Sequence, residues 1–386
     1  MKESIVLCSP KRTPIGSFLG SLSSLSAVDL GVSCVKSVLE ESKPSKVDEL
    51  IAGCVLQAGT KQAPARQIVK GVGLPDSTQA MTINKVCSSG LRAVQLAVQS
   101  ILAGSSEIII AGGMESMSQA PYILRGMRSG ARLGHSEAQD VILIDGLLDA
   151  FDGSHMGLCA EACAAKYEFS REAQDRYAIN SYRKAQSANF EGEISPVEIK
   201  GKKGSEFIKT DEEPTKVNFE KIPELRPAFD KAGTVTAANA SSINDGASFM
   251  IVTTESVAKR EGLTPVARVL SIGWYGQEPK WFTTAPVGAV NMALSKAALK
   301  LSDIDLFEIN EAFSVVALAC QKELGIPDEK LNINGGAVAL GHPIGASGAR
   351  ILTTLIHSLK RTGKKRGAVG ICNGGGEATS IIVEIA

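Results

Sequence analysis

Histidine and aromatic residues are scarce in this chain of 386 residues, which has four His and 5% aromatic residues. Its eight cysteines include no Cys-x-x-Cys pair. Cys159 and Cys163 are four residues apart, but no His stands at metal-ligand spacing to them. The cysteines therefore do not indicate a zinc site.

An excess of one charge is also missing, because 41 basic residues balance 41 acidic ones. This balance disfavours nucleic acid or an anionic membrane as a partner. No apolar run reaches membrane-spanning length, and no export signal opens the chain. Residues 4–8 instead predict a first strand, with a loop over 11–14. Unpaired cysteines without an export signal favour a reduced, cytoplasmic location.

The residues that are abundant indicate an α/β protein rich in tight turns, with 44% hydrophobic residues and 38 Gly. The length predicts two or three packed units. Helical spacing and short apolar runs alternate along the chain, which predicts a parallel sheet with helices on its faces. The predicted helices cover 27–41, 88–103, 287–299 and 347–359, and the predicted strands cover 49–55, 107–111, 306–309 and 368–371.

The two ends of the chain follow one plan, which indicates an internal duplication, although chance likeness of two α/β segments is the alternative. The middle has more charge and proline, with a surface helix expected over 171–190 and a solvated excursion over 200–221. We expect an N-terminal half over 1–117 completed by 246–265, a loop-rich domain over 118–245, and a C-terminal half over 266–386.

Two cysteines stand where chemistry is expected. Cys87 precedes a predicted helix, where free amides and the helix dipole would stabilise a thiolate, whereas a buried structural cysteine is the alternative. Cys372 ends an apolar strand and enters three glycines, whose amides could hold an oxyanion. A phosphate-binding glycine loop is disfavoured there, because no Gly-Lys-Ser/Thr follows.

Three more polar residues stand near strand ends or in tight loops. His342 lies between Gly341 and Pro343, and a satisfied loop histidine is the alternative to a base. Asn310 ends a strand and could hold a water, while Glu311 could orient neighbours, act as a base or be a solvated charge. Together these residues suit a Claisen reaction of thioesters, in which a thiolate keeps the acyl group and a second base removes an α-proton.

Along nearly its whole length the chain resembles the thiolase family, in its short-chain, acetyl-CoA acetyltransferase branch. The resemblance rests on motifs at 12–16 (Arg-Thr-Pro-Ile-Gly), 86–90 (Val-Cys-Ser-Ser-Gly), 112–116 (Gly-Gly-Met-Glu-Ser), 154–157 (Ser-His-Met-Gly), 234–240 (Thr-Val-Thr-Ala-Ala-Asn-Ala), 310–313 (Asn-Glu-Ala-Phe) and 341–350 (Gly-His-Pro-Ile-Gly-Ala-Ser-Gly-Ala-Arg). It implies an α/β fold of duplicated five-layered α/β/α/β/α halves with an inserted loop domain that holds coenzyme A.

The resemblance also implies the chemistry: acetyl-CoA and acetoacetyl-CoA interconvert without a tightly bound cofactor. Cys87 would take the acyl group, His342 would activate it, and Cys372 would exchange the α-carbon proton. One oxyanion hole would use a water on Asn310 with His342, and the other the amides of Cys87 and Gly374. A homotetramer, or a dimer, is implied as well.

Further residues come from the same resemblance. The implied coenzyme A contacts are His155, Met156, Lys216, Lys221, Ser241, Ala312 and Phe313. Likeness to potassium-dependent members would place K⁺ at Tyr182, Ala237, Ala238, Ala240 and Val338. The chain departs from the family at Lys216 and Asn218, where Arg and Asp are usual, and at Glu377, where a small or apolar residue is usual.

Other functions remain possible at this point. A broader-range 3-ketoacyl-CoA thiolase of fatty-acid β-oxidation would share these motifs. Ketoacyl synthases and hydroxymethylglutaryl-CoA synthases lack a cysteine such as Cys372 at a strand end before glycines, which argues against them. A non-catalytic lipid carrier on this scaffold would have no need of all four chemical groups.

Overall fold

A computed structural model describes residues 3–201 and 204–386. The fourteen strands of these residues are β1 Ile5–Arg12, β2 Gly16–Ser17, β3 Glu49–Gly53, β4 Gln79–Ile83, β5 Ile108–Ser116, β6 Tyr122–Leu124, β7 Ala138–Asp140, β8 Val197–Gly201, β9 Gly204–Ile208, β10 Asn244–Thr254, β11 Pro265–Gly276, β12 Leu306–Ile309, β13 Arg366–Asn373 and β14 Glu377–Ile385. The ten α-helices are α1 Ala27–Ser42, α2 Pro64–Gly71, α3 Ser89–Leu102, α4 Met156–Tyr167, α5 Arg171–Ser187, α6 Glu255–Glu261, α7 Ala285–Ala297, α8 Ser314–Leu324, α9 Ala337–Leu340 and α10 Ile344–Thr362.

One ten-stranded sheet runs through the molecule in the order β12-β13-β14-β11-β1-β10-β5-β3-β4, with β2 paired to β10. The predicted parallel pairing was only partly right. Strand β3 pairs in parallel with β4 and β5, and β12 pairs in parallel with β13. The central strands β1, β10, β11 and β14 pair antiparallel. Consecutive strands β13 and β14 are joined by a glycine turn instead of a helix.

The predicted internal repeat is visible in the strand order. Outward from the β1–β11 pair, the sequence β1-β10-β5-β3 on one side matches β11-β14-β13-β12 on the other. Helices α1 and α2 cover the outer face of the first half, and α7 and α8 cover the outer face of the second. Helices α3 and α10 pack together between the two sheet faces. The five predicted layers are thus formed by the two halves together.

The segment between β5 and β10 carries two hairpins and helices α4 and α5. Helix α5 follows the predicted range closely, but one of its faces is buried. Its residues Asp175, Ala178 and Tyr182 are covered, and the helix packs against α8 and α9. It therefore ties this segment to the C-terminal half.

Arg12 shows why the predicted loop over 11–14 was wrong at its start. Its side chain is fully buried at the end of β1, although a Lys-Arg pair usually indicates a solvated turn. The guanidinium binds Glu193 at 2.5 Å and Asp211 at 2.7 Å and lies over the Phe190 ring. The buried charge is tolerated because it is paired on two sides.

In the part of the chain that the structure describes, no helix is long and apolar enough to cross a membrane.

Candidate active site

Cys87 stands directly before helix α3, as predicted, and is partly exposed. The turn that carries it is unusual, because Val86 has a φ of +46°. This region is strained for a β-branched residue. Ser89 holds the turn, since its Oγ accepts from the Lys85 amide at 2.8 Å and donates to the Val86 carbonyl at 2.6 Å. The nucleophile candidate therefore sits on a tightly bonded turn.

His342 stands directly before helix α10, so the two candidate groups begin the two helices that pack together in the central layer. The backbones meet without side chains between them. A Cβ on Gly90 would lie 2.9 Å from the Gly345 carbonyl oxygen, and a Cβ on Gly113 would lie 2.0 Å from the same atom. Glycine at position 90 allows the starts of α3 and α10 to come so close, and glycine at position 113 allows β5 to approach the start of α10.

The imidazole of His342 is oriented by a residue that sequence reasoning missed. The Ser347 hydroxyl lies 2.6 Å from His342 Nδ1 and donates to the Pro343 carbonyl at 2.9 Å. The roles at this contact depend on the tautomer of the ring: with the Ser347 proton directed at Pro343, the Ser347 oxygen accepts the proton of Nδ1. Nε2 is then unprotonated, and no protein partner among the described residues bonds it. Nε2 is therefore the free proton acceptor.

Two further missed residues fix the loop of His342. The buried Asn244 side chain accepts from the His342 amide at 2.9 Å. The buried Glu115 carboxylate accepts from the amides of Val55, Leu56 and Gly345 at 2.9–3.1 Å. Burial raises the pKa of Glu115 to about 7. Both lie in segments that the sequence marked, but spacing alone does not pair an amide or a carboxylate with a distant loop.

The expected stabilisation of a thiolate at Cys87 is opposed by burial. Burial raises the pKa of the Cys87 thiol to about 12, although the amides of Cys87 and Gly374 act in the other direction. Burial, with the charge of Arg350, lowers the pKa of His342 to about 3. Both shifts favour the uncharged forms, so the thiol needs a base for activation.

Cys372 lies near the end of β13 and is fully buried. Burial raises the pKa of its thiol well above the usual range, and a thiolate at Cys87 would raise that pKa further. The two cysteine loops are joined by the Ser88 hydroxyl, which donates to the Asn373 side chain at 2.8 Å. Gly374 lies close to the Cys87 turn as well, since a Cβ there would stand 3.9 Å from Val86.

Asn310 and Glu311 follow β12, but their surroundings differ. Both polar atoms of the buried Asn310 side chain lack a hydrogen-bond partner within the described residues. Groups of this kind are normally satisfied by ordered water. Glu311 instead accepts from Tyr177, Ser181, Asn332 and the amide of Val338 at 2.7–3.2 Å. Glu311 therefore orients its neighbours, and it is not among the residues that line the Cys87 cavity.

A cavity of about 360 Å³ brings Cys87, His342 and Gly374 together. Five of the seven predicted coenzyme A contacts line it: His155, Met156, Ser241, Ala312 and Phe313. An aromatic stack forms one wall, with ring centroids 4.6 Å apart for His155 and Phe229 and 6.0 Å apart for Phe229 and Phe313. Met156 stands at the start of α4 next to Gly374. The cavity therefore has an apolar end beside the two helix starts.

The remaining predicted contacts lie elsewhere. Lys216 is exposed and donates to Ser17 Oγ, and Lys221 is exposed beyond the Asn218 cap. Of the predicted potassium positions, Tyr182 and Val338 share one hydrophobic cluster, whereas Ala237 and Ala240 line the cavity. Within the described residues no cluster of three or more His, Cys, Asp or Glu side chains could hold a metal ion.

Comparison with known proteins decides the family. The model of the thiolase N-terminal domain matches residues 5–256, and that of the thiolase C-terminal domain matches residues 263–385. The chain belongs to the thiolase family. It is 49% identical over 387 residues to the cytosolic acetyl-CoA acetyltransferase of Gibberella zeae, which spans 98% of both proteins.

Solved thiolases have the same fold. The chain matches human mitochondrial 3-ketoacyl-CoA thiolase with a TM-score of 0.96 and 38% identity, covering 100% of this chain and 99% of that one. It matches Acat5 thiolase from Ascaris suum, solved in complex with coenzyme A, with a TM-score of 0.92 and 44% identity over 100% of both. The predicted thiolase-like α/β fold is confirmed, and this thiolase is an acyltransferase enzyme.

Proposed function

We propose that this thiolase is an acetyl-CoA C-acetyltransferase, which reversibly condenses two acetyl-CoA to acetoacetyl-CoA and coenzyme A. The observation that carries the proposal is the cavity in which Cys87, His342 and Gly374 meet. The relative from Gibberella zeae, an acetyl-CoA acetyltransferase, supports the choice of substrate.

In the first half-reaction, Cys87 Sγ attacks the carbonyl carbon of acetyl-CoA and its proton passes to His342 Nε2. The free Nε2 and the bond from Nδ1 to Ser347 support this direction of transfer. The leaving coenzyme A thiolate takes the proton of the Cys372 thiol, so coenzyme A departs as a thiol, Cys372 is left as a thiolate and the acetyl group stays on Cys87. The unpartnered amide of Asn310 supports a bound water that would stabilise an oxyanion together with His342.

In the second half-reaction, Cys372 takes a proton from the methyl carbon of a second acetyl-CoA. The carbanion attacks the acetyl-Cys87 carbonyl, whose oxygen the amides of Cys87 and Gly374 would hold. The bond from that carbon to Cys87 Sγ then breaks, and the Cys87 thiolate takes back the proton held by His342. Thiolysis is the same route reversed. The proximity of the Cys372 and Cys87 loops, joined by Ser88 and Asn373, supports a shared reaction centre.

The accepted length of the acyl chain distinguishes the proposed function from that of a broader-range 3-ketoacyl-CoA thiolase. Likeness to human 3-ketoacyl-CoA thiolase favours longer substrates, whereas Met156 and the aromatic wall favour a short acyl pocket. We expect kcat/KM to fall from acetoacetyl-CoA to longer 3-ketoacyl-CoA, because each methylene that does not fit costs about 1–3 kcal/mol. A level or rising profile would assign the protein to β-oxidation instead.

Peptide mass mapping tests the central assignment. After incubation with acetyl-CoA, the acetyl group should be found on Cys87, and Cys87→Ala should abolish both labelling and turnover. An acetyl group on Cys372 would refute the roles of the two cysteines. Binding of acetyl-CoA without any labelling would favour the non-catalytic carrier.

Four expectations stay predictions. A cytoplasmic location has support from the cytosolic relative. A homotetramer is open to sedimentation analysis, and potassium dependence to assay in sodium against potassium salts. Coenzyme A contacts at Lys216 and Lys221 would require these exposed side chains to reach the cavity mouth, which Lys216→Met and Lys221→Met would test through KM.

A further inference from the structure

An ion pair joins the two loops that carry the reaction centre. Lys85 Nζ lies 2.5 Å from Glu377 Oε2. Lys85 stands two residues before Cys87, and Glu377 stands three residues after Gly374. The pair therefore connects the nucleophile turn of the N-terminal half to the glycine turn of the C-terminal half. It also gives a structural setting to Glu377, where the chain departs from its family.

Neither turn is rigid by its sequence alone. Val86 occupies a strained backbone region, which persists only when surrounding bonds determine it. Gly375 and Gly376 have φ values of +89° and +83°, so the turn after Cys372 is built from residues with the widest backbone freedom. Small displacements of either turn would change the separation of the Cys87 and Gly374 amides.

The bonds inside the Cys87 turn fix its shape but not its distance from the glycine turn. Asn84 and Ser89 bond only to their own segment. Within the described residues, Ser88 Oγ bonds the Asn373 side chain and the Ile371 carbonyl on the buried side of the gap, and Lys85 bonds Glu377 on the exposed side. The ion pair adds a second point of attachment between the two turns. Two points of attachment resist rotation of one turn against the other, whereas a single point does not.

We propose that Lys85 and Glu377 are positioning residues, which set the separation of the Cys87 and Gly374 amides. The proposal rests on the proposed acetyl transfer. The pair acts across partly exposed surface, with 22% and 47% of the two side chains exposed. An exposed ion pair contributes little to the free energy of unfolding. We therefore expect loss of this pair to change the geometry of the site and not the stability of the protein.

The test compares Lys85→Met, Glu377→Gln and the exchanged pair Lys85→Glu/Glu377→Lys with the unmodified enzyme. Each single variant should lose about tenfold in kcat, because a displacement of 1 Å can cost on the order of 100-fold. KM should change less than about twofold, and Tm by less than about 2 °C. The exchanged pair should recover to within about threefold of the original kcat.

Lys70→Met is the matched control, since Lys70 pairs with Asp76 at the same distance of 2.5 Å but away from the cavity. It should leave kcat unchanged. Unchanged kcat in both single variants, a loss confined to KM, or no recovery in the exchanged pair would each overturn the proposal. Because Cys87 labelling is scored separately, failure of the positioning role is distinguishable from failure of the acetyl-transfer function.

Discussion

Burial disfavours the charged forms of Cys87, the proposed nucleophile, and of His342, its proposed proton acceptor. With the Ser347 proton directed at Pro343, the proton of the neutral His342 ring lies on Nδ1. A histidine in this state does not need to lose a proton before it can accept one. Burial disfavours both the Cys87 thiolate and the His342 imidazolium, so the proton transfer must be coupled to attack of the sulfur on the thioester.

The first prediction concerns pH. Because the pKa of His342 is lowered to about 3, the base form persists as pH falls from 7 to 5. The rate of Cys87 acetylation by acetyl-CoA, followed by rapid quench, should therefore have no acid limb with a midpoint near 6.5. A tenfold fall across this interval would mean that the imidazole titrates normally and that burial does not lower its pKa.

The second prediction separates the cysteines. A raised pKa makes the Cys372 thiolate a stronger base once it forms, which suits removal of a weakly acidic methyl proton. Cys372→Ser should still acetylate Cys87 but should lose exchange of the acetyl methyl protons with solvent by at least about 100-fold. Exchange at the original rate would transfer this role to another group.

Among the elements, helix α5 packs against the C-terminal half and is also bonded to it through the buried carboxylate of Glu311. Glu311 accepts four hydrogen bonds, two of them from Tyr177 and Ser181 on α5. Glu311→Gln would turn an amide donor toward these donors and should lower the free energy of unfolding by about 1–3 kcal/mol. kcat should fall less than about threefold, because an orienting carboxylate takes no proton from substrate.

Urea unfolding and steady-state assay measure the two effects side by side. Glu255→Gln is the control, because Glu255 is 56% exposed in a surface pair and its change should stay within about 0.5 kcal/mol. A collapse of kcat with normal stability would restore Glu311 as a candidate base.

Hydrophobic periodicity predicted the bounds of the long helices and strands well. It did not predict which strands pair with each other or how deeply a side chain is buried. Helix α1 and strand β12 follow the predicted ranges to within a residue, because their apolar spacing is strong. The antiparallel pairs at the centre were missed, since an alternating pattern carries no information about which strands become neighbours. The protonation state of Cys87 was also missed, because the depth of the cavity depends on residues far away in sequence.

For the whole molecule, the buried charge of Arg12 joins three distant segments: β1, the stretch around Glu193 and the stretch around Asp211. Removing the cation would leave two buried carboxylates without their partner. Arg12→Leu should therefore lower the free energy of unfolding by about 3–5 kcal/mol. Lys46→Met removes a pair that is exposed at the surface and should cost less than about 1 kcal/mol.

Chemical denaturation of the two variants gives the comparison directly. Equally small losses in the free energy of unfolding of both variants would mean that water reaches Glu193 and Asp211 and solvates their carboxylates. The motif around Arg12 was visible in sequence, but its partners were not. These partners lie about 180 and 200 residues further along the chain. Charge patterning relates only residues that are near each other in sequence, so it could not identify them.

The close backbone contact between the starts of α3 and α10 determines which substitutions this protein tolerates there. Gly90 and Gly113 meet the Gly345 carbonyl where a methyl group has no room. A saturation mutagenesis screen scored on growth or activity would rank such glycines with Cys87, although they bind no substrate and move no proton. Intolerance at Gly90 reports the spacing of α3 and α10, and intolerance at Gly113 reports the spacing of β5 and α10. A map of essential positions would therefore include these glycines as well as the residues of the reaction centre.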